Sequence, residues 1–192
     1  MAQSNHERVT RALDVLNKGL KPFVEREMRA EYGNQWQQEA LKSLREQHLS
    51  SDGDAAHLDT QGLLLIMWDQ WNVVFRDVLG HAERSLVSEL RETRNRWAHQ
   101  KAFSTDDVYR ALDSIQRLLT SISAEEAQEI ERQKQEVLRI RFEEQARRET
   151  RKVSIAPIEG QPVSGLRPWR EVMTPHPDVA SNRYQQAQFA AN

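Results

Sequence analysis

Thr60-Gln61-Gly62-Leu63-Leu64-Leu65-Ile66-Met67-Trp68-Asp69-Gln70-Trp71-Asn72-Val73-Val74-Phe75-Arg76-Asp77-Val78-Leu79 is the stretch on which the reading of the fold turns. Wound as a helix, it carries apolar side chains on nearly every side. Only a helix touched by neighbours in several directions tolerates that in water. The pattern predicts one helix over 60–79, the central member of a bundle, closed by Gly80. Its longest unbroken apolar run, Leu63–Trp68, is far too short to span a membrane.

The flanking segments supply the neighbours. On the N-terminal side, Ser4 or Asn5 caps a helix whose apolar stripe is Val9, Leu13, Leu16, Leu20, Phe23, Val24 and Met28. Pro22 lacks a backbone donor, so a kink or break is expected near Lys18–Lys21. Gly33 ends the element, and Trp36, Ala40, Leu41 and Leu44 form a shorter stripe before a loop at 50–54. On the C-terminal side, a helix over 81–98 turns Leu86, Val87, Leu90 and Trp97 inward. Another begins at Ser104 or Thr105 and carries Val108, Leu112, Ile115, Leu118, Leu119 and Ile122. Ser123 and Glu126 stand at capping-box spacing, which predicts a separate helix start there.

From 124 to 151 the chain is mostly charged, with only Ile130, Val137, Leu138, Ile140 and Phe142 among its larger apolar residues, and reads as a long solvated helix. Five of the six prolines follow residue 156, so 152–192 is expected to be an extended linker. No strand-like alternation or internal repeat stands out. The expectation is an all-α protein: a helical bundle over 1–123, a charged helix over 124–151 and a tail over 152–192.

The composition narrows the chemistry. Lys and Arg number 27 against 29 Asp and Glu, a net charge of −2, so any contact with a polyanion must come from a local basic patch. Cysteine is absent, which removes disulfides, thiolate metal sites and cysteine nucleophiles. No charged-then-apolar leader opens the chain, and the expected location is the cytoplasm with no membrane partner. There is no Walker loop, dinucleotide fingerprint or glycine-rich phosphate cradle.

One short run combines groups that suit phosphodiester chemistry: Arg94-Asn95-Arg96-Trp97-Ala98-His99. An arginine neutralises and orients a phosphate, and a histidine moves a proton near neutral pH without a metal. The same Arg-x-x-x-x-His spacing also occurs at Arg76 and His81, so spacing alone does not rank the two. Placement does. Arg94 sits at the margin of an apolar face, among Arg84, Arg91, Arg96 and Lys101. Arg76 and His81 straddle Gly80, where the plain reading is that Arg76 pairs with Asp77 and His81 opens the next helix. Five residues advance a helix by about 500°, leaving Arg94 and His99 about 140° apart. They meet on one phosphate only if the helix ends near Ala98 or a symmetric partner completes the site.

Other constellations read more plainly. Asp52, Asp54, His57 and Asp59 lack the glycine position of a calcium loop, and Asp59 reads as a helix cap. Asp69 and Asn72 share a face of the apolar helix, where a buried pair would need a partner such as an arginine from the next helix. Trp68, Trp71 and Trp97 read as core anchors. No metal or cofactor site is expected.

The segment Leu90-Arg91-Glu92-Thr93-Arg94-Asn95-Arg96-Trp97-Ala98-His99-Gln100, with Phe103 and the helix Val108–Leu119, resembles the HEPN superfamily over roughly residues 5–123. It looks like the branch typified by a nuclear transcript-surveillance endoribonuclease. The resemblance implies an antiparallel helical bundle, usually dimeric, and a metal-independent endoribonuclease acting through the 2′-hydroxyl of RNA. The implied catalytic residues are Arg94, Asn95 and His99, with Arg91, Arg96 and Lys101 contacting RNA. Some family members are inactive and serve as binding modules, which leaves a non-catalytic dimerisation or partner-binding module as the alternative. A second resemblance lies in the tail: Pro168-Trp169-Arg170-Glu171-Val172-Met173-Thr174-Pro175-His176-Pro177-Asp178-Val179-Ala180 through Asn192 looks like the entry into large phage-defence ATPases of the BREX type, the PglY-like group. It implies an ATPase region downstream in cis and a role in bacterial anti-phage defence.

Overall fold

A computed structural model describes residues 4–46 and 58–155. Among them are six α-helices and no strand: α1 (Asn5–Tyr32), α2 (Trp36–Glu46), α3 (Thr60–Asp69), α4 (His81–Ala98), α5 (Thr105–Ser121) and α6 (Ala127–Ile155). The protein is an all-α bundle, as its periodicities predict. The chain divides into two units, Met1–Arg148 and Glu149–Asn192. The first holds the bundle, and the described part of the second is the end of α6. The linker expected from 152 is helical as far as Ile155; the rest of the tail, its resemblance included, lies outside the described residues. So do Asp52, Asp54 and His57.

α3 is the centre. Gly62, Leu63, Leu64, Leu65, Ile66 and Met67 are all buried, six consecutive residues and hence every side of the helix. α1, α2 and α4 pack on it, and α5 closes the bundle against α1 and α4. The entry of α3 is pinned to α1 by two bonds. The Asn17 amide donates to the Leu58 carbonyl at 3.0 Å, and the Thr60 hydroxyl donates to the Leu13 carbonyl at 3.1 Å.

The single helix expected over 60–79 does not form. α3 stops at Asp69, and a π-helical turn occupies Trp71–Phe75, with the Arg76 N–H bonded to the Trp71 carbonyl. Gln70 is the reason. Its side-chain oxygen accepts from the Tyr32 hydroxyl at 2.7 Å, and its amide donates to the Ser43 hydroxyl at 3.1 Å. These bonds tie the end of α3 to α1 and α2, and Ser43 is itself buried. The wider turn then keeps Trp71, Val74 and Phe75 in the core while Val73 and Val78 face out, 54% and 51% exposed. Asp69 and Asn72 are exposed too, so neither is the buried polar group expected of them.

α1 also departs from expectation. It runs unbroken from Asn5 to Tyr32 with Pro22 inside, capped by Ser4 and ended by Gly33 at φ 56°. Pro22 offers no donor to the Lys18 carbonyl, but both residues face solvent. Leu20 and Val24 are fully buried and Phe23 nearly so, which holds the helix across the lost bond.

The α5–α6 junction corrects the capping-box reading. Ser123 lies at φ 56°; its N–H bonds to the Thr120 carbonyl, and the Ala124 N–H reaches back to Leu119. Those two bonds make Ser123 the left-handed residue that ends α5 rather than the cap that starts α6. The first half of α6 is not merely solvated. Ile130, Gln133 and Val137 are buried, Glu129 pairs with Arg11 at 2.6 Å, and Lys134 pairs with Asp113 at 3.3 Å.

If packing rather than intrinsic propensity carries α1 past Pro22, restoring the donor adds stability. Pro22→Ala is expected to gain about 1 kcal/mol or more, read as a higher urea midpoint at unchanged m-value; an unchanged or lower midpoint contradicts this account.

Candidate functional site

α4 carries the Arg94–His99 run on its last turns, and the way the helix ends sets the geometry. The Gln100 N–H bonds to the Trp97 carbonyl and the Lys101 N–H to the Arg96 carbonyl, while Gln100 itself sits at φ 53°. This is the left-handed helix stop in which glycine is the usual residue. His99 is the residue before the reversal. Its φ of −85° and ψ of 12° are near-helical, and its N–H still reaches the Asn95 carbonyl at 3.1 Å. The reversal thus comes one residue too late to swing His99 toward Arg94, and about 140° of helix rotation still separates them. His99 and Asn95 are both exposed, one turn apart on the same outer face.

Arg94 faces the other way, toward the bundle. Its Nη2 donates to Asp59 Oδ2 at 3.1 Å, with 20% of its side chain exposed. The other oxygen of that carboxylate, Oδ1, accepts the Gly62 N–H at 2.8 Å and caps α3. One carboxylate therefore closes the N-terminus of the central helix and holds the arginine. The cap was legible in the sequence. The pairing was not, since nothing in the order of residues relates positions 59 and 94.

The remaining residues of the run are built in. The Trp97 Nε1–H donates to Thr10 Oγ1 at 2.8 Å, and the Trp97 ring lies nearly parallel to that of His6, centroids 5.9 Å apart. Arg96 spreads both terminal guanidinium nitrogens, Nη1 and Nη2, over Asp107 at 3.4 and 3.3 Å, reaches the Ala102 carbonyl, and lies over the Phe103 ring. It thus braces the turn between α4 and α5. Asp107 also accepts the Ser104 N–H at the start of α5. That backbone bond first, and Arg96 second, hold its carboxyl down at about 2. Lys101 is exposed, and Arg91 stacks on Trp68 at 5.1 Å. The twin motif is split as its plain reading predicts: Arg76 lies 3.5 Å from Asp77, and His81 is the first residue of α4. Among the described residues no cluster of potential metal ligands occurs.

Residues 11–123 match the family model described as Swt1-like HEPN, more than half of the chain. The chain belongs to the HEPN superfamily. The matched span runs from within α1 past the end of α5, so the HEPN domain includes Arg94, Asn95 and His99 and leaves α6 outside. No curated protein and no solved structure matches the chain.

Asp107 contributes fully above about pH 4 and loses its contribution as pH falls toward about 2, because folding lowers its pKa. Asp107→Asn should flatten that part of the stability–pH curve; a slope as steep as wild type counts against the Arg96–Asp107 brace. Gln100→Gly should raise stability by about 1 kcal/mol, seen in chemical denaturation; a fall would show that the reversal is not left-handed in solution.

Proposed function

We propose that the HEPN domain is a metal-independent endoribonuclease module of a cytoplasmic anti-phage defence protein. The observation that carries this reading is the exposed His99 at the end of α4, with Asn95 one turn behind it on the same face. An imidazole so placed meets a strand in solvent without any rearrangement of the core.

The reaction needs little else. A neutral His99 takes the proton of the ribose 2′-hydroxyl as the 2′-oxygen attacks the adjacent phosphorus. The P–O5′ bond breaks, and the 5′-oxygen leaves with a proton from an imidazolium. The products are a 2′,3′-cyclic phosphate and a 5′-hydroxyl. Arg94 stabilises the charge that builds on the phosphoryl oxygens, and Asn95 bonds the phosphate or holds the imidazole. Because Arg94 and His99 diverge on one helix, we place the site between two copies, with Arg94 of one facing His99 of the other. A homodimer is the assembly this requires. Arg91 and Lys101 contact the flanking RNA; Arg96, which braces the turn, does so only through the edge of its guanidinium left free. The downstream region in cis is an ATPase of the BREX type.

A second reading is favoured by one observation, the Arg94–Asp59 ion pair. An arginine already neutralised by a carboxylate suits a structural post, and the domain would then be a non-catalytic dimerisation or RNA-binding module regulating the attached ATPase.

Incubation of the full chain with total RNA in EDTA separates the two. Cleavage with cyclic-phosphate ends is expected. Loss of at least about 100-fold is expected in His99→Ala and in Arg94→Ala. His99→Ala should leave thermal stability unchanged, because that side chain is exposed. Absence of cleavage by the wild type, with RNA binding intact, establishes the second reading.

A further inference from the structure

α4 is polarised around its axis in a way its sequence does not announce. Its three acids are all directed elsewhere. Glu83 accepts the Gly80 N–H at 2.9 Å, Glu89 accepts the Ser114 hydroxyl at 3.1 Å, and Glu92 lines a small cavity of about 190 Å³ beside Arg96, Asp107 and Arg110. Arg84 and Arg91, two turns apart on one face, turn instead to the half-buried ring of Trp68. Their guanidinium carbons lie 5.0 and 5.1 Å from its centroid, and Arg84 is also 6.0 Å from that of Trp71.

Two like charges therefore converge on one indole. Among the described residues neither pairs with a carboxylate. An arginine with a purely structural post is normally anchored by an acceptor, yet the buried Nε of Arg84 has no hydrogen-bond partner. The ring holds both guanidinium groups by cation–π contact and leaves their terminal donors uncommitted.

We infer that Arg84 and Arg91, held on Trp68, form a clamp for consecutive phosphates of a single RNA strand. The clamp continues the face that carries Asn95 and His99. On a helix, Arg91 lies about 12 Å from His99 along the axis and Arg84 about 10 Å further, so the strand runs along α4 toward the imidazole. Charge decides the occupant. A second copy pressed squarely on Arg84 and Arg91 would set four guanidinium groups against one another, which confines the dimer contact to the Arg94–His99 end of α4, whereas a polyanion neutralises them. The clamp rests on the endoribonuclease reading for its substrate, though not for its existence.

The test uses the full chain and a single-stranded 2′-O-methyl oligonucleotide, which keeps every phosphate and cannot be cleaved. Its affinity is measured from about 50 to about 200 mM salt. The variants are Arg84→Gln/Arg91→Gln and Arg84→Lys/Arg91→Lys, with circular dichroism confirming the helix content of each. Two phosphate contacts predict that the glutamine pair weakens low-salt binding about 10- to 100-fold and makes the log–log salt slope shallower by about 1.4. The lysine pair should keep most of the slope. Should the glutamine pair misfold, Arg91→Gln alone should remove about half of the slope change.

Unchanged affinity and slope overturn the clamp, as does an effect on dimer mass alone or a wild type that does not bind. Cleavage assays on the same variants keep the two proposals apart. RNA cleaved with unchanged KM by the glutamine pair sinks the clamp and leaves the nuclease. Binding lost in that pair, with no cleavage by the wild type, keeps the clamp and sinks the nuclease.

Discussion

Burial of α3 on every side is the constraint from which the rest of this bundle follows. Six consecutive buried residues leave no face for water, so α1, α2 and α4 must all lie against it. Polar side chains then join α3 to its neighbours at its two ends. At its start, Asp59 caps it and holds Arg94. At its end, Gln70 joins Tyr32 and Ser43. The position of α4, and with it of the candidate site, depends on the first of these joints and on the packing of Leu86, Val87 and Leu90.

The same joints explain where the pattern of residues misled. Apolar character all round a helix reports burial but not winding, so the stretch after Gln70 looked like more of the same helix. Its π-helical turn is set by two side-chain bonds to residues 27 and 38 positions away. Ser123 at capping-box spacing illustrates a different ambiguity. A serine before a helix and a serine at the left-handed end of the previous one occupy the same place in the chain. Only backbone torsion separates them. Pro22 carries a local penalty that three buried neighbours override.

The candidate site divides along the same line. The Arg-x-x-x-x-His run, the plain reading of its copy at Arg76 and His81, and the capping role of Asp59 are legible from spacing and neighbours. Helix geometry splays Arg94 and His99 to different sides of α4, and the late chain reversal at Gln100 leaves that splay in place. That geometry is why two copies enter the functional reading. The domain's arginines also differ in ways composition hides: Arg96 braces a turn, Arg94 is held by Asp59, and Arg84 and Arg91 share an indole.

Helix number, the central place of residues 60–69, the capped ends at Ser4, Asp59 and Ser104, and membership in the HEPN superfamily all rest on local signals. Periodicity and capping chemistry act within a few residues, so a linear chain displays them. The Asp59–Arg94 pair, the Tyr32–Gln70–Ser43 joint and the stacking of His6 on Trp97 belong to the tertiary structure alone. Each joins side chains tens of positions apart, and polar or aromatic contacts of that range are selected by how helices pack, since any of several acids or rings would satisfy the same donor.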